Sequence, residues 1–319
     1  MDQITDISNA LREQIMLTKA IETLSLKNCS MLEVTGSFSD AAKTMCDSKV
    51  GALPTVKDGK LVGVISEHDL LKAAVAHNTL NPETTIEDIH TANPIQISCE
   101  TTVQDALEIF FIRSFSHLPV VDSNGSPQSI LSARDLLFFI TSFFPSLERM
   151  GTLLEWADIV GHTQNEILLS ASEMAQEGTL AQMVFNFPLR RVPFNRAVVA
   201  DCNTTILDVM KLINRRGVSH VLLTKYGTKV VGIITERDFL TKVFGQQQQI
   251  SQLTVNDLMT TNLKTMMNKH LVGHSINNLK AGHYRHILLV DEDRYPTGVI
   301  SMIDVLKFIT DKIFGEFIR

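Results

Sequence analysis

Four places along the chain pair a hydroxyl with a carboxylate three residues later: Ser66 with Asp69, Ser132 with Asp135, Thr235 with Asp238, and Ser301 with Asp304. Each pair closes a short apolar run and opens a helix-like one, in GVISEHDLL, SILSARDLL, GIITERDFL and GVISMIDVL. The simplest chemistry is structural. A Ser or Thr ending a strand caps the following helix, and an acid three positions on suits the positive helix end; such a cap contributes about 1 kcal/mol. The same geometry can also bind. A carboxylate at a helix start accepts both hydroxyls of a ribose, since both are donors. The capping hydroxyl and nearby N–H groups can meet phosphate oxygens, with an adenine in the apolar cleft behind. A lone pair would be read as a cap. Four in register, in segments that otherwise differ widely, keep both readings open.

The elements that must position these pairs repeat with them. The steps Ser66 to Ser132 and Thr235 to Ser301 are both 66 residues, whereas Ser132 to Thr235 is 103, so four repeats come as two pairs. An upstream helix start recurs as SFSDAAKTM, TTVQDALEIF, TTILDVMKLI and HLVGHSINNL. Between the two marks lies strand-turn-strand: LPTVKDGKLVGVI, LPVVDSNGSPQSIL, VLLTKYGTKVVGII and ILLVDEDRYPTGVI. Asp58-Gly59, Asn124-Gly125 and Tyr226-Gly227 supply turn chemistry at the hairpin tips. Each repeat therefore reads as an extended lead-in, a helix, two strands and a second helix.

A single repeat of this size buries little of its sheet, so pairing is the natural route to a core. The expected organisation is an N-terminal helix over 1–24, a first module over 25–141, a helical insert over 142–189 and a second module over 190–319. The N-terminal helix is expected from the rough apolar stripe of Leu11, Ile15, Met16 and Ile21, and the insert from its own helical periodicity around Trp156. The fold class is α/β (α+β).

Composition narrows the function. Over 319 residues, 29 Lys+Arg against 35 Asp+Glu give a net charge of -6, which argues against a general nucleic-acid binder. The four cysteines, Cys29, Cys46, Cys99 and Cys202, form no CxxC pair, so neither a disulfide framework nor a structural zinc site is expected. The start MDQITDISNALREQ has no leader-like character, and the greasiest run, LLFFITSFF, is far shorter than the roughly 20 residues of a membrane span. A cytoplasmic protein is expected. His270 and His274 stand four apart with His283 and His286 following, but no HExxH pattern or nearby Cys accompanies them, so no metal is expected. Walker, GxGxxG and GxSxG signatures are lacking as well, and no enzyme is expected.

Taken together, these motifs resemble cystathionine-beta-synthase (CBS) domain proteins, whose paired repeats form Bateman modules. With two pairs on one chain it is similar to the gamma regulatory subunit of AMP-activated protein kinase and to stand-alone prokaryotic four-repeat proteins. The resemblance implies a β-α-β-β-α fold per repeat and regulatory binding of AMP, ADP or ATP, with S-adenosylmethionine less favoured. It assigns ribose contacts to Asp69, Asp135, Asp238 and Asp304, with Ser66, Ser132, Thr235 and Ser301 as hydroxyl partners. The family's phosphate-binding positions before the second strand fall on Gly51-Ala52, Ser116-His117, Ser219-His220 and Arg285-His286, so repeat 1 carries no charge there. His117, His220, Arg285 and His286, with Arg134 and Arg237 directly before two of the aspartates, are the candidate phosphate contacts. The implied partner is a separate effector: a kinase, transporter or metabolic enzyme. Assembly is either closure of two modules within one chain or a homodimer. The alternative function is a nucleotide-independent scaffold whose hydroxyl–carboxylate pairs are only caps.

Overall fold

Asp58 and Gly59 both hold positive φ, 54° and 74°, and Lys57 pairs with Lys60 across them. This is the two-residue turn whose twist matches a hairpin, and it sets the register of the first repeat. The computed structural model describes residues 16–76, 81–113, 115–144, 184–225, 229–246, 248, 250, 253–261, 263–282, 284–293 and 295–315.

Repeat 1 comprises β1 (Leu32–Glu33), α1 (Phe38–Ser48), β2 (Ala52–Lys57), β3 (Lys60–Ser66) and α2 (Glu67–Ala76). A short α3 (Ile86–Ile89) and β4 (Thr91–Ala92) follow, and β4 extends this sheet beyond β3. Repeat 2 has β5 (Ile97–Ser98), α4 (Val103–Arg113), β6 (His117–Val121), β7 (Pro127–Ser132) and α5 (Ala133–Ser142). Repeat 3 has β8 (Val199–Asp201), α6 (Ile206–Arg216), β9 (His220–Lys225), β10 (Lys229–Thr235) and α7 (Glu236–Phe239), which runs into a π-helical turn, Leu240–Phe244. After α8 (Val255–Leu258), repeat 4 has β11 (Thr265–Met267), α9 (Val272–Ala281), β12 (His286–Val290), β13 (Pro296–Ser301) and α10 (Met302–Ile313).

In every repeat the first strand lies parallel to the second and the second antiparallel to the third. Each antiparallel pair also shifts register at a corresponding point, between Thr55/Val56, Val120/Val121, Val230/Gly232 and Leu289/Val290. The expected β-α-β-β-α order is what the chain folds into.

Packing joins the repeats in two different ways. One core gathers Phe38, Met45, Leu53 and Leu70 of repeat 1 with Ile206, Met210, Val221 and Phe239 of repeat 3. In it α6 and α7 lie against α2, and α1 lies against the π turn. A second core gathers Phe110, Leu118 and Leu136 of repeat 2 with Ile276, Leu289 and Leu306 of repeat 4. Adjacent repeats meet instead through their sheets: β2 touches β7, and Leu222 of β9 packs with Leu288, Val290 and Val299. Each repeat thus shares its helical core with the repeat two places along. A unit of about 60 residues buries only about 60% of its unfolded surface, and sharing supplies the remainder. Fully buried Phe110 and Phe239 each contribute about 1.5–3 kcal/mol by leaving water.

The segment expected as an N-terminal helix is described only from residue 16. Met16 and Leu17 are helical, Ile21–Leu24 forms a 3-10 turn, and Met16, Leu17 and Ile21 are buried in the repeat 2/4 core. Val103 N–H donates to the Lys19 carbonyl at 2.8 Å. Val272 N–H donates to Phe187 at 2.9 Å in the same way, so two lead-in segments seat on α4 and α9 alike. Most of the expected insert, residues 145–183 with Trp156, lies outside the described residues, as does the Tyr226-Gly227 turn. Among the described residues, no helix is long and apolar enough to cross a membrane, and no group of three His, Cys, Asp or Glu side chains is placed to hold a metal. The four cysteines are free thiols.

Candidate functional site

All four hydroxyl–carboxylate pairs form at the corner between the third strand and the second helix. Ser66 donates its Oγ–H to Asp69 Oδ2 at 2.6 Å, the Ser66 N–H donates to the same oxygen at 2.8 Å, and Asp69 N–H donates back to Oγ at 3.3 Å. The Ser132–Asp135 box has 2.5, 2.8 and 3.4 Å, and the Ser301–Asp304 box 2.6, 2.8 and 3.3 Å. Thr235 and Asp238 repeat it at 2.7, 2.9 and 3.4 Å. Oδ2 is spent on the cap each time, leaving Oδ1 as the acceptor for anything else. Asp69, Asp135 and Asp304 are half-buried, and among the described residues none has an ion-pair partner. Asp238 differs: it is buried, and its Oδ1 lies 2.8 Å from Lys242 Nζ.

The candidate phosphate contacts cluster where the four repeats meet. Arg237 of repeat 3 and Arg285 of repeat 4 converge on one carboxylate of repeat 1, Glu67. Their Nη1 atoms donate to Glu67 Oε1 and Oε2, each at 2.8 Å. Arg237 also donates to the Val50 carbonyl at 2.6 Å. The Glu67 side chain is only 5% exposed, so it is a buried anion held between two cations. Arg134 of repeat 2 stands over the Phe138 ring at 5.9 Å. Burial, with Arg285 and Arg237 nearby, lowers its guanidinium below the ordinary range.

The imidazoles of His117, His220 and His286 are half-buried, and loss of hydration keeps them neutral at physiological pH. Burial takes His117 to about 3, with Arg285 adding to the effect, and His220 to about 4. His286 falls to about 3 through burial, then His220 and Arg285. The His220 and His286 rings lie 4.6 Å apart, and Nε2 of His286 sits 2.8 Å from Ser219 Oγ. Nδ1 of His220 is buried with no hydrogen-bond partner among the described residues. A second acid–base contact links repeats 1 and 3: His68 Nδ1 lies 2.7 Å from Glu236 Oε1. That hydrogen bond raises the His68 pKa, while burial raises that of Glu236.

Glu67, Glu236 and Lys242 stand outside the residues that the repeated motifs point to. A signal for the first two exists. The position after the hydroxyl is acidic in repeats 1 and 3 (Glu67, Glu236) and apolar in repeats 2 and 4 (Ala133, Met302), the same pairing that the shared cores follow. The missing charge of repeat 1 also has a physical counterpart. A Cβ on Gly51 would stand 2.9 Å from Nη2 of Arg285, so the bare glycine leaves the space through which Arg285 reaches Glu67.

Four β-α-β-β-α repeats whose capped corners surround one cluster of guanidinium and imidazole groups define a class of repeat protein with internal pseudo-symmetry. The family model for the CBS domain matches residues 19–76, 79–142, 189–245 and 255–311, and the chain belongs to this family. Among solved structures it is similar to protein MJ1225 from Methanocaldococcus jannaschii, a proposed archaeal homologue of g-AMPK. That match has a TM-score of 0.66 and 17% identity, over 91% of this chain and 99% of that one. A conserved protein from Pyrococcus horikoshii matches with a TM-score of 0.53 and 14% identity, over 91% of this chain and all 100% of that one. Both show the shared fold. Among curated proteins, the CBS domain-containing protein CBSCBSPB5 of Arabidopsis thaliana is 25% identical over 287 residues, 88% of this chain and 51% of the relative. The meiotically up-regulated gene 70 protein of Schizosaccharomyces pombe is 20% identical over 319 residues, covering 91% of this chain and 43% of its own length. The chain thus spans about half the length of these curated relatives.

Proposed function

We propose that this chain is a regulatory protein without catalysis of its own. It binds adenine nucleotides (AMP, ADP or ATP), or a related adenosyl compound such as S-adenosylmethionine, at its strand-to-helix corners and passes the signal to a separate effector protein. The observation that carries this reading is the placing of half-buried carboxylates, each with one uncapped oxygen, around a centre rich in arginine and histidine. A ligand that suits both ends carries a diol and an anionic tail, which is the chemistry of a ribose phosphate. The regulatory units are two modules, residues 25–141 and 190–319, with 1–24 and 142–189 as flanking and connecting segments. Differential affinity for two arrangements of these modules would move their populations and so inform the effector. Closure within one chain is supported by the shared cores, which cover helical faces of all four repeats. Free thiols accord with a reducing setting, the cytoplasm.

The test is calorimetric titration of the full chain with AMP, ADP, ATP and S-adenosylmethionine, with and without magnesium. Saturable binding of one of them is expected. No heat and no thermal stabilisation from any would end this reading. A second reading, a ligand-independent scaffold, draws support from Glu67, which already neutralises part of the cationic centre. It predicts an effector complex unaffected by every nucleotide.

A further inference from the structure

Among the described residues, Asp238 is the one corner carboxylate of the four whose second oxygen is occupied. Lys242 lies one helical turn on, with its ammonium 2.8 Å from Asp238 Oδ1, and the same Nζ donates to the Leu258 carbonyl ahead of repeat 4. The two bonds hold the lysine across the carboxylate. Burial agrees: Asp238 is 9% exposed, whereas Asp69, Asp135 and Asp304 remain half-buried. The equivalent position, four residues after the aspartate, holds Ala73 in repeat 1, Phe139 in repeat 2 and Phe308 in repeat 4, none of which can pair with a carboxylate. The backbone differs as well. Lys242 sits within the π turn Leu240–Phe244, whereas the corresponding helices of the other repeats continue as α-helix. A single π turn inside a helix recurs at functional positions.

The consequence follows from acceptor counting. In each repeat Oδ2 already accepts two hydrogen bonds from the cap, so a ribose diol must find its acceptor at Oδ1. In repeat 3 that oxygen accepts from an ammonium, a charge-assisted bond stronger than one from a neutral hydroxyl. We propose that Lys242 closes the repeat 3 corner to ribose-bearing ligands, so that Asp238 serves as the lysine's counter-ion and only Asp69, Asp135 and Asp304 are open to ligand. This rests on the ligand-binding reading given above and specifies which of its sites are available.

The test is isothermal titration of full-length wild type, Lys242→Met, Lys242→Arg and the double variant Lys242→Met/Asp238→Asn with AMP, ATP and S-adenosylmethionine. Circular dichroism melts check folding. Lys242→Met is expected to gain one ligand per chain over wild type, Lys242→Arg to keep the wild-type stoichiometry, and the double variant to lose the gained site. Should Lys242→Met fail to fold, Lys242→Gln, which retains a donor for the Leu258 carbonyl, takes its place. Unchanged stoichiometry in the Met or Gln variant overturns the proposal, and so does a gained site that survives Asp238→Asn. The ligand-binding reading fails separately: it falls if wild type binds none of AMP, ADP, ATP and S-adenosylmethionine, whatever the lysine variants do.

Discussion

Gly51 of repeat 1 and Arg285 of repeat 4 are in contact, and a Cβ on the glycine would lie 2.9 Å from Nη2 and 3.2 Å from Nη1 of the arginine. Arg285 crosses 218 residues of sequence to reach Glu67 through that gap. The repeat that lacks a basic residue before its second strand therefore borrows one. The centre of the molecule is assembled from all four repeats rather than built four times over.

Gly51→Val should displace Arg285 from Glu67 and leave a buried carboxylate with one cation instead of two. Arg285 is 40% exposed, so the loss is discounted for solvent, to about 1 kcal/mol. Urea denaturation of the variant beside Arg285→Ala checks it. If the space argument is right, the two changes overlap and the double variant is little worse than either single one. Full additivity would mean that Gly51 matters for another reason.

Glu67→Gln removes the negative charge shared by Arg237 and Arg285. Folding stability should fall by about 1–3 kcal/mol, the range for hydrogen bonds to charged groups, because the amide faces two guanidinium groups with one acceptor. Nucleotide affinity should move the other way, most for ATP, since both arginines become available to phosphate. Titration at two salt concentrations reads this: the variant's ATP binding is expected to be tighter and to weaken more steeply with salt. Equal affinity in both proteins would show that these arginines do not meet phosphate.

Acid should loosen the fold. His117 and His286 are held at about 3 and His220 at about 4, all below the ordinary 6.5, because burial disfavours the charged ring. With a folded-state pKa below the unfolded one, each contributes stability that is intact above pH 6.5 and lost as pH falls toward the folded value. His68 has the opposite sign. Its pKa is raised by Glu236, so its contribution is complete below 6.5 and fades as pH rises through the folded value. Three strongly lowered rings outweigh one raised ring, so melting temperatures should drop from pH 6.5 toward pH 4. Proton NMR of the histidine C2 resonances assigns the groups. Rings of His117 and His286 that titrate near 6.5 would contradict the burial argument.

Replacing an open carboxylate should separate capping from binding. Asp69→Asn, Asp135→Asn and Asp304→Asn should each weaken a filled site by about 1–3 kcal/mol, the worth of hydrogen bonds to a charged acceptor. Stability should fall by only about 1 kcal/mol, as for a cap. Asp40→Asn is the control: Asp40 accepts from Ser37 in the same box, but at the exposed start of α1. It should cost stability and leave nucleotide affinity alone. Wild-type affinity in all three corner variants would reduce the corners to caps.

The Asp40 control also marks what could be read from the chain alone. The hydroxyl–x–x–carboxylate box recurs at Ser37/Asp40, Thr102/Asp105, Thr205/Asp208 and Thr254/Asp257, all on exposed helix starts. The motif by itself identifies a cap. Register identifies the four corners, since among the described residues only those boxes follow the third strand of a repeat and lie partly buried.

The corner caps, the Asp58-Gly59 turn and the β-α-β-β-α order were legible in the sequence because the interactions behind them span few residues. Asp58-Gly59 needs no distant partner to turn the chain, and Ser66 needs none to cap α2. Tertiary structure alone decided which repeats share a core, that Arg237 and Arg285 meet on Glu67, and that Arg285 passes over Gly51. Those contacts join residues 170 and 218 positions apart, and whether their attraction offsets the cost of desolvating Glu67 depends on how distant elements dock rather than on any local pattern. Lys242 stands between the two cases. Its spacing from Asp238 was visible throughout, but whether it pairs with that carboxylate depends on a π turn and on a carbonyl of α8, which only the folded chain provides.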